Sequence, residues 1–402
     1  MIVRRPRCSR GLRRIALLLA CAAAPCAAQG SPHLGTTTFV LDGNRIYAEF
    51  SFVRPDGSLH EALAHVDMGT PSALVSDSLF RELELNRGRD LSFRVGRLSV
   101  RVPGAQVTSD PGTPYSLGSN LKVQAVLPAG VLRKFEVVID YRRRTLTLAQ
   151  PGSIEPRGVA VPFHLSENTG LIAVDASIAS TSYAVTIDNG SAYTWFRQDT
   201  VKRWLRMHPD WERGRGAVGP SNMMMSGDGA EASGILLRVP EIVLGALTLK
   251  SVGALGAGRG RGATPGVGLL DWYSTKNSVP VIGWIGGNVL ETFRLTIDYP
   301  RRTLYWQRQT DPDTTDLDQV GLTLRSEHHE YVVSAVATRN GQPTVRGVSP
   351  GDKLVRVDQL ETANAKSGAL FRALHGKPGE TRILILERGG HRFSVPAKVT
   401  AF

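Results

Sequence analysis

The chain has few cysteines, and all of them lie near its start. Its 402 residues contain only Cys8, Cys21 and Cys26. They fall in a segment with six arginines, an apolar run that begins at Ile15, and small residues before Gln29. This pattern is typical of a secretory signal, so we expect residues 1–28 to be removed and the protein to be periplasmic or secreted. The mature chain would then have no cysteine with which to form a disulfide.

Long apolar runs and a strong charge on the mature chain are also lacking. No segment is long enough to span a bilayer as a permanent anchor. Leu18-Leu19-Ala20-Cys21 loosely matches a bacterial lipoprotein box, so a lipid anchor at Cys21 stays open as an alternative. The net charge is +12, and the first 28 residues supply six of these charges as arginines. The remaining +6 is ordinary for a chain of this length, and no nucleic-acid-binding module is recognisable.

What the chain does contain is an internal repeat. Residues 126–148 read VLPAGVLRKFEVVIDYRRRTLTL, and residues 284–306 read WIGGNVLETFRLTIDYPRRTLYW. The two align without a gap, and each predicts a short helix followed by a β-hairpin. Linkers rich in Pro, Gly or polar residues follow both copies. We therefore expect two related halves, 36–150 and 159–307, with an insertion within 213–234 of the second half.

Each half also carries an aspartate at the end of an apolar strand. The stretches are AHVDMGTPSALV, residues 64–75, and VTIDNGSAYTWF, residues 185–196. A third Asp-x-Gly-Thr match begins at Asp110, but prolines and the lack of a preceding strand indicate a turn. Two interpretations of Asp67 and Asp188 are open. They are either strand-to-turn residues that bond nearby backbone amides, or a pair of carboxylates brought together by the two halves.

A carboxylate pair has a definite chemistry. Two carboxyls within hydrogen-bonding reach share one proton, because both cannot easily ionise together. The ionised member can take a proton from water, and the protonated member can donate to a carbonyl under attack. The glycines at 69 and 190 permit a tight turn, and the hydroxyls of Thr70 and Ser191 can orient the carboxylates.

These motifs, with Trp284-Ile285-Gly286 downstream, resemble those of the pepsin- and retropepsin-type aspartic proteases. The "helix, IDY, hairpin" ending is similar to that of bacterial retropepsin-like proteins. Over about 36–307, the resemblance implies a mainly β fold of two pseudo-symmetric lobes that form one cleft. It implies an endopeptidase with Asp67 and Asp188 as catalytic pair, acting on peptides or proteins without metal or cofactor. The turn residues that support the pair would be Gly69, Thr70, Gly190, Ser191 and Gly286.

Four residues depart from the family pattern. Met68 and Asn189 replace the usual hydroxyl residues that bond across to the opposite half. Pro128-Ala129 stands where the second half has Gly286-Gly287. An alternative function therefore stays open: a catalytically degenerate pseudo-protease that binds peptides in the cell envelope.

The C-terminal part, 317–402, does not repeat this pattern and contains the stretches TVRGVSPGDKLVRVD, SGALFRALHGKPGE and TRILILERGG. With these stretches it resembles a PDZ domain, a small α+β fold. This resemblance implies that a peptide C-terminus adds to an open sheet edge, with a helix near 367–374 and the carboxylate-binding loop Gly321, Leu322, Thr323 and Leu324. The alternative is a domain that only packs on the two lobes. His328-His329 carries no metal prediction, since adjacent histidines on a strand face opposite ways.

Overall fold

The computed structural model describes residues 34–110, 120–227, 229–258 and 268–402. The expected signal segment, Cys21 and residues 111–113 of the third Asp-x-Gly-Thr match lie outside these ranges. The described chain is mainly β and has two related lobes followed by a C-terminal module. We call 34–149 the first lobe, 159–308 the second lobe and 318–402 the C-terminal module. Within the described ranges, no helix is long and apolar enough to cross a membrane.

The first lobe is built mainly from strands. Its elements are β1 (Leu34–Asp42), β2 (Arg45–Val53), β3 (Leu59–Asp67), β4 (Ala73–Ser76), α1 (Asp77–Glu82), β5 (Leu91–Val95), β6 (Leu98–Val102), β7 (Val107–Asp110), β8 (Val123–Pro128), α2 (Ala129–Leu132), β9 (Glu136–Asp140) and β10 (Thr145–Ala149). Strands such as β5 and β6 alternate buried and less buried residues, as expected for a half-covered sheet, whereas β9 is buried throughout.

The second lobe repeats this order and adds an excursion, residues 216–234, between two of its strands. Its elements are β11 (Val159–Pro162), β12 (His164–Leu165), β13 (Ile172–Ile178), β14 (Thr181–Ile187), β15 (Thr194–Arg197), α3 (Gln198–Met207), β16 (Glu212–Arg215), β17 (Ile235–Leu244), β18 (Leu247–Ala257), α4 (Leu269–Lys276), β19 (Gly283–Ile285), α5 (Gly287–Leu290), β20 (Phe293–Asp298) and β21 (Thr303–Arg308). The excursion falls where the sequence predicted an insertion.

A continuous run of strands joins the lobes, in the order β11-β21-β20-β9-β10-β1. The two repeated hairpins meet at its centre, where β9 and β20 pair antiparallel and Val138 lies opposite Thr296. These two residues occupy the same place in the aligned repeats. A pseudo-two-fold axis therefore passes through this pair and relates the two lobes.

The strands that end in the aspartates have matching neighbours in both lobes. In the first lobe β3 pairs parallel with β8, and β8 pairs antiparallel with β4. In the second lobe β14 pairs parallel with β19, and β19 pairs antiparallel with β15. The prediction of two related β halves is confirmed by this topology, and each half directs one aspartate toward the junction.

The C-terminal module is a small α+β unit with its own hydrophobic cluster. Its elements are β22 (Asp318–Gln319), β23 (Leu322–Glu327), β24 (Glu330–Val336), β25 (Thr338–Arg339), β26 (Gln342–Pro343), β27 (Lys353–Val357), β28 (Leu360–Glu361), α6 (Ser367–Leu374), β29 (Thr381–Arg388), β30 (His391–Lys398) and β31 (Thr400–Ala401). Its main sheet runs β23-β24-β27-β29-β30, so β23 is an edge strand.

Candidate active site

Asp67 and Asp188 each end a buried strand, and each carboxyl group is held by its own turn. The first carboxyl accepts the Gly69 amide at 2.7 Å and the Thr70 hydroxyl at 2.6 Å. The second accepts the amides of Gly190 and Ser191, at 2.9 and 3.1 Å, and the Ser191 hydroxyl at 2.8 Å. These are the local bonds expected of an aspartate at a strand-to-turn junction. They orient each carboxyl without using all of its acceptor sites.

The two turns are interlocked across the lobe junction. A Cβ atom built on Gly69 would lie 2.4 Å from the carboxyl carbon of Asp188. A Cβ atom on Gly190 would lie 2.2 Å from the carboxyl carbon of Asp67. Each carboxyl thus lies against the glycine of the opposite turn, where any side chain would clash. The structure therefore brings the two sequence-predicted aspartates together in a crossed arrangement.

The two turns are tied to each other by one side chain, that of Asn189. Its Oδ1 accepts the Met68 amide at 2.8 Å, and its Nδ2 donates to the Val66 carbonyl at 2.9 Å. Met68 is fully buried in the hydrophobic core. The bridge between the lobes is therefore made from one side, by an amide that can both accept and donate.

The segment after β8 makes the same supporting contact as its counterpart after β19. Ala129 donates its amide to the Thr70 carbonyl at 2.9 Å, and Gly287 donates its amide to the Ser191 carbonyl at 2.7 Å. Pro128, which lacks an amide proton, precedes this bond and does not interrupt it. Gly286 is required sterically, since a Cβ there would lie 2.5 Å from the Tyr193 carbonyl oxygen.

No protein-family model and no curated protein sequence matches the chain. Among solved structures, the chain is similar to an aspartic proteinase from Irpex lacteus. That match has 12% sequence identity and a TM-score of 0.41, and it covers 70% of this chain and 99% of the other.

Burial and mutual proximity control the protonation of the pair. Both carboxyls are largely withdrawn from solvent, with 7% of Asp67 and 1% of Asp188 exposed. Burial, and then the nearby charge of Asp67, raise the pKa of Asp188 to about 7. Burial also raises the pKa of Asp67, against the opposing bonds from Thr70 and Gly69. The pair therefore holds one proton under conditions in which isolated aspartates have lost theirs.

Tyr273 is a site residue that the sequence did not reveal. Its hydroxyl donates to Oδ2 of Asp188 at 2.9 Å from helix α4, and its ring packs on Trp284 with centroids 4.9 Å apart. Burial and then the charge of Asp188 hold its pKa well above the usual range, so it stays a donor. In the sequence, the only indication of this role is that a tyrosine lies in a short helical segment before Gly286. Such a tyrosine is too common to identify a site residue. Asp188 therefore accepts a hydroxyl donor from outside its own turn, and among the described residues no equivalent bond to Asp67 is present.

A buried arginine lies directly behind the second turn. Arg45 is 1% exposed and donates through Nε to the Gly190 carbonyl at 2.8 Å.

His65 lies on the same strand as Asp67, with Nδ1 3.9 Å from the carboxylate, and stacks on Tyr47. Burial and the Arg45 charge lower the pKa of His65 to about 3, so this imidazole is neutral.

The predicted carboxylate-binding loop lies far from the aspartates in sequence and is covered. Leu322, Thr323 and Leu324 are almost fully buried. The amide of Leu322 donates to the Val320 carbonyl at 2.8 Å, and that of Leu324 donates to the Asn222 side chain at 2.6 Å. A Cβ on Gly321 would lie 1.9 Å from the Thr344 hydroxyl. In this conformation the loop is not an open edge, because the amides of Leu322 and Leu324 already have partners within the chain.

His328 and His329 form the turn between β23 and β24, with positive φ angles of 47° and 67°. The prediction that they lie on a strand is wrong, since the chain reverses direction there. Nδ1 of His329 bonds Oδ1 of Asn120 at 2.9 Å. Over the described ranges, no three His, Cys, Asp or Glu side chains are grouped so that they could hold a metal ion.

Proposed function

We propose that the chain is an aspartic endopeptidase in which Asp67 and Asp188 act together on a water molecule. The crossed placement of each carboxyl against the opposite glycine supports this proposal most strongly. A pair of strand-end residues with purely structural roles does not require that contact. The raised pKa of Asp188 supports it further, because a shared proton is what this reaction needs.

The reaction would use the pair in both its protonation roles. The ionised carboxyl takes a proton from water as the water oxygen bonds to the peptide carbonyl carbon. The protonated carboxyl donates to the carbonyl oxygen, which gives a gem-diol. Return of a proton to the nitrogen breaks the C–N bond, and a carboxylic acid and an amine leave. Burial of Met68 and the Asn189 bridge keep the turns fixed while the protons move.

The test compares Asp67→Asn, Asp188→Asn and wild type on a peptide library across acid to neutral pH. We expect either substitution to lower turnover at least about a thousandfold, with little change in peptide binding. Asp175→Asn is the matched control, because this carboxylate is exposed on β13 and forms an ion pair with the partly exposed His164. Near-full activity in either dyad variant would show that another group performs the chemistry.

A second function is favoured by one observation, the bond from Tyr273 to Asp188. That hydroxyl occupies an oxygen that a substrate carbonyl or water would use, and both carboxyls are buried. A pseudo-protease that holds peptides without cutting them would keep this bond. Binding of library peptides to the wild-type chain, with no cleavage at any pH, would select this function over hydrolysis.

A further inference from the structure

The excursion of the second lobe contains a methionine-rich stretch that enters the C-terminal module. We call residues 219–225, with sequence GPSNMMM, the methionine segment. Asn222, Met223 and Met225 in it are each 1–2% exposed. Nothing equivalent exists in the first lobe, where β5 and β6 are joined by two residues. The backbone groups and the Asn222 side chain of a stretch this deeply buried require hydrogen-bond partners within the protein.

Its first partner is the edge of β23. The Leu324 amide donates to the Asn222 side chain at 2.6 Å, and the Ser326 amide donates to the Met225 carbonyl at 3.0 Å. These are the outward-facing amides of an edge strand, which otherwise require water or another strand. The methionine segment therefore satisfies the edge in the manner of an added peptide.

Its second partner is the apolar interior beside α6. Met225 belongs to the same buried cluster as Leu322, Leu324 and Leu370. Pro220 and Phe371 line one cavity of about 190 Å³, which places the start of the segment against α6. Met225 packs in the buried apolar cluster, where an unbranched, flexible side chain can fill an irregular space. The segment thus lies between β23 and α6, which is the groove that the sequence assigned to a peptide.

The other side of the segment contacts the first lobe and, through it, the Asp188 turn. Arg45 donates through Nη2 to the Met223 carbonyl at 2.9 Å and through Nε to the Gly190 carbonyl at 2.8 Å. The Glu231 carboxylate accepts the amides of Met224 and Met225, at 2.8 and 2.9 Å. Removal of the segment would leave a buried guanidinium without one of its acceptors, which is unfavourable.

We infer that the β23–α6 groove is a peptide-binding site that the methionine segment occupies within the same chain. A partner molecule that binds this groove would be an extended peptide. It would offer an oxygen acceptor to each of the amides of Leu324 and Ser326, and an unbranched apolar side chain to the buried cluster that contains Leu370. Such a peptide competes with the segment. Its binding loosens the Arg45 contact and thereby the turn that carries Asp188. Peptide binding at this groove does not depend on hydrolysis.

The first experiment uses a labelled synthetic peptide, GPSNMMMSG, which copies residues 219–227. Asn222→Ala combined with Met225→Ala weakens the resident segment and leaves the groove intact. We expect the peptide to bind the full-length double variant at least tenfold more tightly than wild type. Ser226→Ala is the matched control, because Ser226 is in the same stretch but exposed, and it should bind like wild type. Equal affinity of the double variant and wild type would overturn the inference.

A third substitution tests the location of binding. Ser326→Pro removes the outward amide of β23, and proline is tolerated on an edge strand when its nitrogen faces away from the sheet. Added to the double variant, it should lower peptide affinity at least tenfold, with the circular dichroism spectrum unchanged. Unchanged affinity would show that the peptide binds elsewhere, and the inference would fall.

The effect of peptide binding on the Asp188 turn can be measured without any assay of peptide cleavage. Hydrogen exchange of the Gly190 and Ser191 amides should quicken when the peptide saturates the double variant, because the Arg45–Met223 bond is lost. Unchanged exchange would refute the link. If no variant cleaves peptides while these binding and exchange changes occur, the proposed hydrolysis fails and the groove inference stands.

Discussion

Replacement of Asp188 by Asn should change how the stability of the protein depends on pH. Asn has nearly the same shape as a protonated Asp and does not ionise. In the wild-type protein the pKa of Asp188 rises from its ordinary 3.8 to about 7 on folding. The folded state therefore holds this proton more tightly than the unfolded state. Its contribution to stability is complete below about pH 4 and is lost as the pH rises through about 7.

The size of the effect follows from the same pKa change. At about 1.4 kcal/mol for each tenfold change in proton affinity, the raised pKa corresponds to about 4 kcal/mol as an upper limit. Because Asp67 also binds the shared proton, we expect a loss of about 2 to 4 kcal/mol between pH 4 and pH 8. Asp188→Asn should lack this loss, so its stability relative to wild type should rise with pH.

Urea unfolding of wild type, Asp188→Asn and the control Asp175→Asn at several pH values from 4 to 8 measures this directly. The useful quantity is the difference in unfolding free energy between variant and wild type, because other titrating groups cancel. The control should follow wild type throughout, since its carboxylate is exposed. Parallel curves for wild type and Asp188→Asn would refute the buried, shared proton, and the proposed acid–base roles would lose their basis.

Three further changes have defined outcomes. Tyr273→Phe removes a hydrogen bond that lowers the pKa of Asp188. The alkaline limb of the plot of activity against pH should therefore move to higher pH. An alkaline limb that does not move would show that the hydroxyl is not bonded to the aspartate pair. Asn189→Ala leaves the buried Met68 amide and Val66 carbonyl unpaired, which costs about 1–3 kcal/mol for each group. Urea unfolding should therefore show a loss of at least about 2 kcal/mol in the free energy of unfolding. A smaller loss would mean that other contacts join the lobes. Export should give a mature chain that starts near Gln29 on N-terminal sequencing; an intact Met1 or a lipid-modified Cys21 would contradict the predicted cleavage.

The parts of the fold that sequence could predict are those with local signals. The hairpins after α2 and α5 were visible as an ungapped repeat, because both halves must present the same pairing surface at the β9–β20 contact. The strands before Asp67 and Asp188 were visible as apolar runs. The helix α6 was expected near 367–374 and spans Ser367–Leu374. In each case the pattern of neighbouring residues is sufficient to predict the element, because the spacing of apolar residues along the chain differs between strands and helices.

The rest of the site depends on contacts between distant residues. Tyr273 reaches Asp188 across 85 positions, and its direction depends on how α4 packs against Trp284. Arg45 reads in the sequence as the charged start of a strand, an ordinary surface position. Only the approach of the second turn and the methionine segment buries it. Sequence could locate the insertion, but the groove that it enters is formed by residues about 100 positions later.

The two lobes share a backbone plan but contribute unequally to the dyad. The second lobe supplies the inter-lobe amide of Asn189, the Tyr273 donor and the methionine segment, whereas the first supplies the buried Arg45. Among the described residues, Tyr273 gives Asp188 a donor from outside its own turn, and donors to a carboxylate favour its charged form. Burial, and then the nearby charge of Asp67, act in the opposite direction and raise the pKa of Asp188. Arg45 contacts both halves of the site, since it bonds the Gly190 carbonyl of the second turn and its charge lowers the pKa of Asp67. A peptide that displaces the methionine segment would alter the Arg45 contacts, and we expect the distribution of the shared proton between the two aspartates to change with them.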